Sequence, residues 1–115
     1  MTDCIFCKII RGELGAEFVH QDEDIVAFRD IQPQAPTHVL VVSRKHIPTI
    51  MDCELPENME LLNKMLAVCR MIAKREMIHE KGFRLVINTG VEGGQLVKHL
   101  HIHLLGGREM GWPPG

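Results

Sequence analysis

Apolar positions along this chain follow two periods. The segment Cys4 to Arg11 carries Ile5, Phe6, Ile9 and Ile10 near one side of a short helix, and Gly12 suits its end. A longer helical pattern begins near Pro56 and runs to about Ile78. Met59, Leu62, Leu66, Cys69 and Ala73 recur there, with Met65 and Ile72 beside them. Leu61, Val68 and Met71 widen the stripe enough to meet both a sheet and a partner chain. The remaining apolar runs are short. Glu17 to His20 and Ile25 to Phe28 flank a polar stretch and read as a hairpin. His38 to Val42 is rich in β-branched residues and reads as a central strand. Pro33 and Pro36 stiffen the loop before it, and Pro48 ends any regular element near His46. Lys81-Gly82 closes the long helix and opens a strand from Phe83 to Asn88. A glycine-rich loop, Thr89 to Gln95, then leads into Val97 to Leu105. One long and one short helix with five strands predict an α+β fold around a five-stranded antiparallel sheet.

Composition narrows the function classes. A chain of 115 residues fits one domain, 1–115, and 45% hydrophobic with 24% charged residues is ordinary for a globular fold. A net charge of -2 argues against a nucleic-acid binder with a basic stripe, yet leaves room for a small anionic ligand. No apolar segment approaches the roughly 20 residues that cross a bilayer, so no membrane partner is expected. Met1 to Cys4 lacks a basic region followed by an apolar run, which predicts a cytoplasmic protein with reduced thiols. Cys4 and Cys7 then read as a metal pair, a redox pair or buried filler rather than a structural disulfide. Cys53 and Cys69 read as loop and core filler, and His20 and His79 as surface residues.

The chemistry concentrates near the C-terminus. His99, His101 and His103 alternate with Leu100, Ile102 and Leu104. In a strand the apolar set would face a core and the imidazoles the other side, about 6.6 Å of rise apart. Such a row can bind a metal, supply a nucleophile with neighbouring acid and base, or form a merely polar face. Gly93 and Gly94 precede it, and backbone N–H groups in such a loop can converge on an anion. Together they suggest a phosphate held against an imidazole nucleophile.

The run His99-Leu100-His101-Ile102-His103-Leu104-Leu105 resembles the His-φ-His-φ-His-φ-φ signature of the histidine triad (HIT) family. The segment Cys4 to Ile10, Pro36-Thr37-His38, Asn88, Gly93-Gly94-Gln95, and the tail from Gly106 through Trp112 to Gly115 are similar to its Hint branch. The resemblance implies the HIT fold and a homodimer with a continuous sheet. It also implies hydrolysis of the P–N bond in purine nucleoside 5′-phosphoramidates, releasing AMP or GMP. His101 would attack phosphorus and form a nucleotidyl-histidine, splitting one displacement into two easier ones. His103 would contact the phosphate and assist the leaving amine. His38 and His99 would support the nucleophile. Asp30, beside Ile31, would accept the ribose hydroxyls, or else be a solvated turn carboxylate. Asn88, Gly94, Gln95 and Val97 would complete the nucleotide site, and Trp112 would wall the leaving group of a neighbouring chain. Leu96 departs from the pattern, since a serine that bonds the phosphate is common there. Lys98 also departs, but alternation turns it away from the triad.

Cys4-x-x-Cys7 supplies half of a zinc site. His46 and His99 are the best candidates for the other half, an arrangement similar to that of some bacterial HIT proteins. A closed Cys₂His₂ shell suits a structural ion, and His38 would then take over the proton-relay role of His99. Two other function classes stay open. One is a metal-dependent hydrolase with the triad as ligands, disfavoured because no carboxylate lies close by in sequence. The other is a nucleotide-binding or scaffolding protein with little turnover.

Overall fold

A computed structural model describes residues 4–115; Met1, Thr2 and Asp3, to which the domain range and the N-terminal reading extend, lie outside the described residues. Helix α1 spans Ile5–Ile10, with Cys4 as its N-cap. Strands β1 (Phe18–Gln21), β2 (Ile25–Arg29), β3 (Thr37–Ser43), β4 (Phe83–Val86) and β5 (His101–Gly106) form one antiparallel sheet in the order β1-β2-β3-β5-β4. Helix α2 spans Pro56–Arg75, with proline in the first turn where its missing N–H costs nothing. The predicted α+β architecture is therefore the one observed.

Both faces of the central strands are packed, which leaves little alternation of apolar and polar positions in β2 and β3. Ile25 and Ala27 of β2, Val39 and Val41 of β3, and Ile102 and Leu104 of β5 pack under α2. The alternate residues Val26, Phe28, Leu40 and Val42 pack with Phe6 and Ile9 of α1 on the other face. All seven residues of β3 are buried. The period-two rule places His101 and His103 on the α1 face. They pair in register with Val42 and Leu40 there, and His38 sits one diagonal step away.

Several boundaries differ from expectation. The sequence predicts a strand from Val97, but β5 begins at His101, and Val97 to His99 form a bend. The cause is a side chain. His99 Nε2 donates to the Ser43 carbonyl at 2.7 Å, which occupies the end of β3. The Leu100 N–H leaves the ladder for the Ile47 carbonyl. Strand β4 ends at Val86 rather than Asn88, and α2 at Arg75 rather than near Ile78. A 3₁₀ turn at Ile50–Glu54, closed by a Thr49–Asp52 capping box, was not anticipated. The buried face of α2 is Leu62, Met65, Val68, Cys69, Ile72 and Ala73; Met59, Leu66 and Met71 are exposed instead. Cys53 and Cys69 are both buried, and burial pushes the Cys69 thiol up to about 12.

Candidate active site and metal centre

A cleft of about 450 Å³ opens on the α1 face of the sheet. Its floor is β5, which contributes His101 and His103. Phe6 and Ile9 of α1 form an apolar wall, and Asp30 and Ile31, after β2, form a lip. Asn88, Gly94, Leu96 and Val97 form the other side. The cleft thus gathers Asp30, Ile31, Asn88, Gly94, Val97, His101 and His103 of the residues singled out from sequence. Gln95 and Trp112 are not among its lining residues.

The hydrogen-bond partners set the tautomer of each ring. The His101 Nδ1–H donates to the His99 carbonyl at 2.6 Å, so Nε2 carries the lone pair. His38 Nδ1 accepts the Gln34 backbone N–H at 3.0 Å, so Nε2 carries its proton. That proton points to His103 Nδ1, also at 3.0 Å, which leaves the His103 proton on Nε2. The result is one acceptor imidazole beside one donor imidazole, with ring centroids 5.0 Å apart. Burial keeps both neutral. It lowers the affinity of His101 for a second proton, and together with neighbouring His101 and His38 it holds His103 down at about 4. His38 is lowered by burial as well, against the pull of Asp30.

The glycine loop has the shape its residues suggest. A Cβ at Gly93 would collide with the Thr89 carbonyl, and Gly94 sits at φ +77°. Asn88 Nδ2 donates to the Gly93 carbonyl at 2.7 Å. Gln95 bridges the loop: it accepts from the Gly90 N–H and donates to the Pro48 and Val97 carbonyls. Its side chain holds the loop rather than facing the cleft. Trp112 is 84% exposed in the single chain.

Behind the cleft lies a second cluster. Cys4 Sγ, Cys7 Sγ, His46 Nδ1 and His99 Nδ1 all lie within 4.8 Å of one another. Observed sulfur–nitrogen separations are 3.4 to 3.6 Å, and the two nitrogens are 3.2 Å apart. A tetrahedral zinc ion with ordinary bond lengths sets such atoms roughly 3.3–3.8 Å apart, so the donor set fits zinc. His99 is prepared for it: its Nε2–H is spent on Ser43, which leaves Nδ1 free to ligate. Burial and the adjoining Cys4 push the Cys7 thiol up. Asp30, His38 and His103 also converge within 4.8 Å. There the Gln34 amide keeps a proton on His38 Nε2, and the three groups form a proton network instead. His99 thus stands out of the strand's imidazole row and among Cys4, Cys7 and His46, and His38 is the imidazole that bonds His103.

Sequence reasoning missed Phe6, whose ring lies against His101, and the Gln34 amide that orients His38. The position of Phe6 between two candidate ligands was a usable signal. The role of a backbone amide had none.

Fold and cleft together define a small α+β protein built around paired, oppositely polarised imidazoles. Residues 11–110 match the HIT domain family. The chain belongs to that family and is an enzyme. It is 49% identical over 109 residues to the purine nucleoside phosphoramidase of Escherichia coli strain K12, covering 95% of this chain and 91% of that one. It is 47% identical over 112 residues to a 14 kDa zinc-binding protein of Zea mays, covering 96% and 87%. Among solved structures, a HIT family hydrolase from Legionella pneumophila superposes with a TM-score of 0.94 at 51% identity, covering 98% of this chain and all of that one.

Proposed function

We propose that this nucleotide hydrolase cleaves the P–N bond of purine nucleoside 5′-phosphoramidates through a nucleotidyl group carried on His101. One observation carries the reading: the His99 carbonyl fixes the His101 proton on Nδ1, which leaves a lone pair on Nε2 of a residue that lines the cleft. The 49% identity to a purine nucleoside phosphoramidase supports the substrate class. Nε2 attacks the α-phosphorus and the P–N bond breaks. The departing amine takes a proton relayed from solvent through the His103 Nε2–H and His38. Water then cleaves the Nε2–P bond, its proton leaves by the same relay, and AMP or GMP departs. Asp30, Ile31, Asn88, Gly94 and Val97 hold the nucleotide, with Asp30 turned to the ribose, and Gln95 acts through the loop. Cys4, Cys7, His46 and His99 would hold zinc, which pins α1 to the strand carrying His101 and takes no part in the reaction. Two chains join through the outer edge of β4, and the tail with Trp112 reaches the neighbouring cleft. The protein works in the cytoplasm.

The test is amine release from an adenosine 5′-phosphoramidate. Turnover should resist chelator and should fall on the order of 10³-fold or more in His101→Ala. AMP binding without any turnover in the parent protein would instead support the binding-module reading.

A further inference from the structure

Phe6 occupies an unusual position. With Ile5 it is one of the two residues between Cys4 and Cys7, and the buried one of that pair, at 6% exposed. Its ring centroid lies 5.0 Å from that of His101, with the planes 89° apart. It also stands 5.9 Å from the His99 ring and 5.5 Å from that of Phe28, with the planes 64° and 74° apart. Phe28 is fixed in turn in β2 under the same apolar cluster. The backbone carbonyl of His99 is thus one hold on the nucleophile, and Phe6 is a second.

We propose that Phe6 is a positioning residue for His101, holding the imidazole plane so that Nε2, and not a ring carbon, addresses the substrate. The physical need is specific. A histidine ring turns about its Cβ–Cγ bond in a broad torsional well, and one hydrogen bond restrains it at one atom only. A perpendicular aromatic neighbour blocks that rotation sterically. It also favours the same arrangement through its quadrupole. As His101 bonds to phosphorus its ring becomes cationic, with the Phe6 ring 5.0 Å away. The two sulfurs flanking Phe6 connect this contact to the metal cluster. Whatever holds Cys4 and Cys7 also holds the ring against the nucleophile. This inference rests on His101 being the nucleophile, and its test separates the two ideas.

The experiment compares Phe6→Leu, Phe6→Met and Phe6→Tyr at matched zinc content. Long-range proton–nitrogen NMR spectra of the histidine rings, with His101 identified through His101→Ala, report the tautomer without any substrate. The parent should show His101 as a single neutral tautomer protonated on Nδ1. Phe6→Leu and Phe6→Met should shift the His101 nitrogen signals towards averaged values. They should also lower kcat roughly three- to tenfold while KM changes less. Phe6→Tyr should restore both readouts. If Phe6→Leu fails to fold, Phe6→Met, of similar volume, carries the comparison. An unchanged His101 spectrum, or a loss confined to KM, overturns the proposal and reduces Phe6 to a wall of the cleft. A parent protein without turnover overturns the hydrolase reading alone, since the spectra still decide the positioning role.

Discussion

His99 serves three ends with three polar atoms. Nδ1 faces the thiol cluster, Nε2 caps the last carbonyl of β3, and the backbone oxygen fixes the tautomer of His101. Alternation in the sequence correctly gave the faces of Leu100, Ile102 and Leu104, and of His101 and His103. It could not give the departure of His99, which depends on a carbonyl 56 residues away. Gln95 shows the same limit: its amide reaches Pro48, and no local pattern encodes that contact. Leu96 is the opposite case, a departure visible in sequence and plain in the structure. It is 94% exposed and lines the cleft with His101 and His103. Leu96→Ser should leave the fold within about 0.5 kcal/mol, because the side chain is solvated. The new hydroxyl should add a hydrogen bond to a bound phosphate worth about 0.5–1.5 kcal/mol. Calorimetric titration with AMP should then show an affinity roughly two- to tenfold tighter. No gain would place residue 96 out of reach of the phosphate.

Elements end here for reasons that lie partly in sequence. Gly12 follows α1 at φ +81°, as its position suggested. The end of α2 was harder to read, because a methionine stands where glycine is expected. Glu76 is the C-cap, and Met77 follows it in the left-handed region at φ 60°. The Met77 N–H bonds the Lys74 carbonyl and the Ile78 N–H the Ala73 carbonyl, which closes a Schellman motif. Met77 is 83% exposed, so it gains little packing in return for its strain. Glu76 does hold this end in place: both carboxylate oxygens accept from the Arg29 guanidinium at 3.0 Å, and that guanidinium lowers the Glu76 carboxyl from its usual range. Met77→Gly should therefore stabilise the protein by about 0.5–1 kcal/mol, after the entropy of a freer unfolded chain is set against the relieved strain. A thermal melt should move up by roughly 2–6 °C. A fall in Tm would mean that the exposed side chain packs on something outside a single chain.

At the scale of the whole molecule, the sheet has a helix on each face and two edge strands, β1 and β4. Strand β4 pairs only with β5 among the described residues, and its outer N–H and C=O groups are open to another strand. Leu85 on that strand is 36% exposed, and Met59 and Leu66 of α2 are 47% and 37% exposed. The sequence stripe on α2 was wider than its own sheet needs, and these exposed positions are the surplus. A second copy joining edge to edge would satisfy the strand and cover part of that apolar surface. Sedimentation at micromolar concentration should accordingly give a particle of two chains. Leu85→Arg places charge at the join and should give one chain. Trp112 is the sole tryptophan, so it reports on the tail without ambiguity. Its emission should be shifted to the blue in the parent dimer, where the neighbour covers the ring, and to the red in Leu85→Arg. A parent that sediments as one chain at every concentration would exclude the joined sheet. A dimer with fully solvated tryptophan emission would keep the join and remove the tail from the neighbouring cleft.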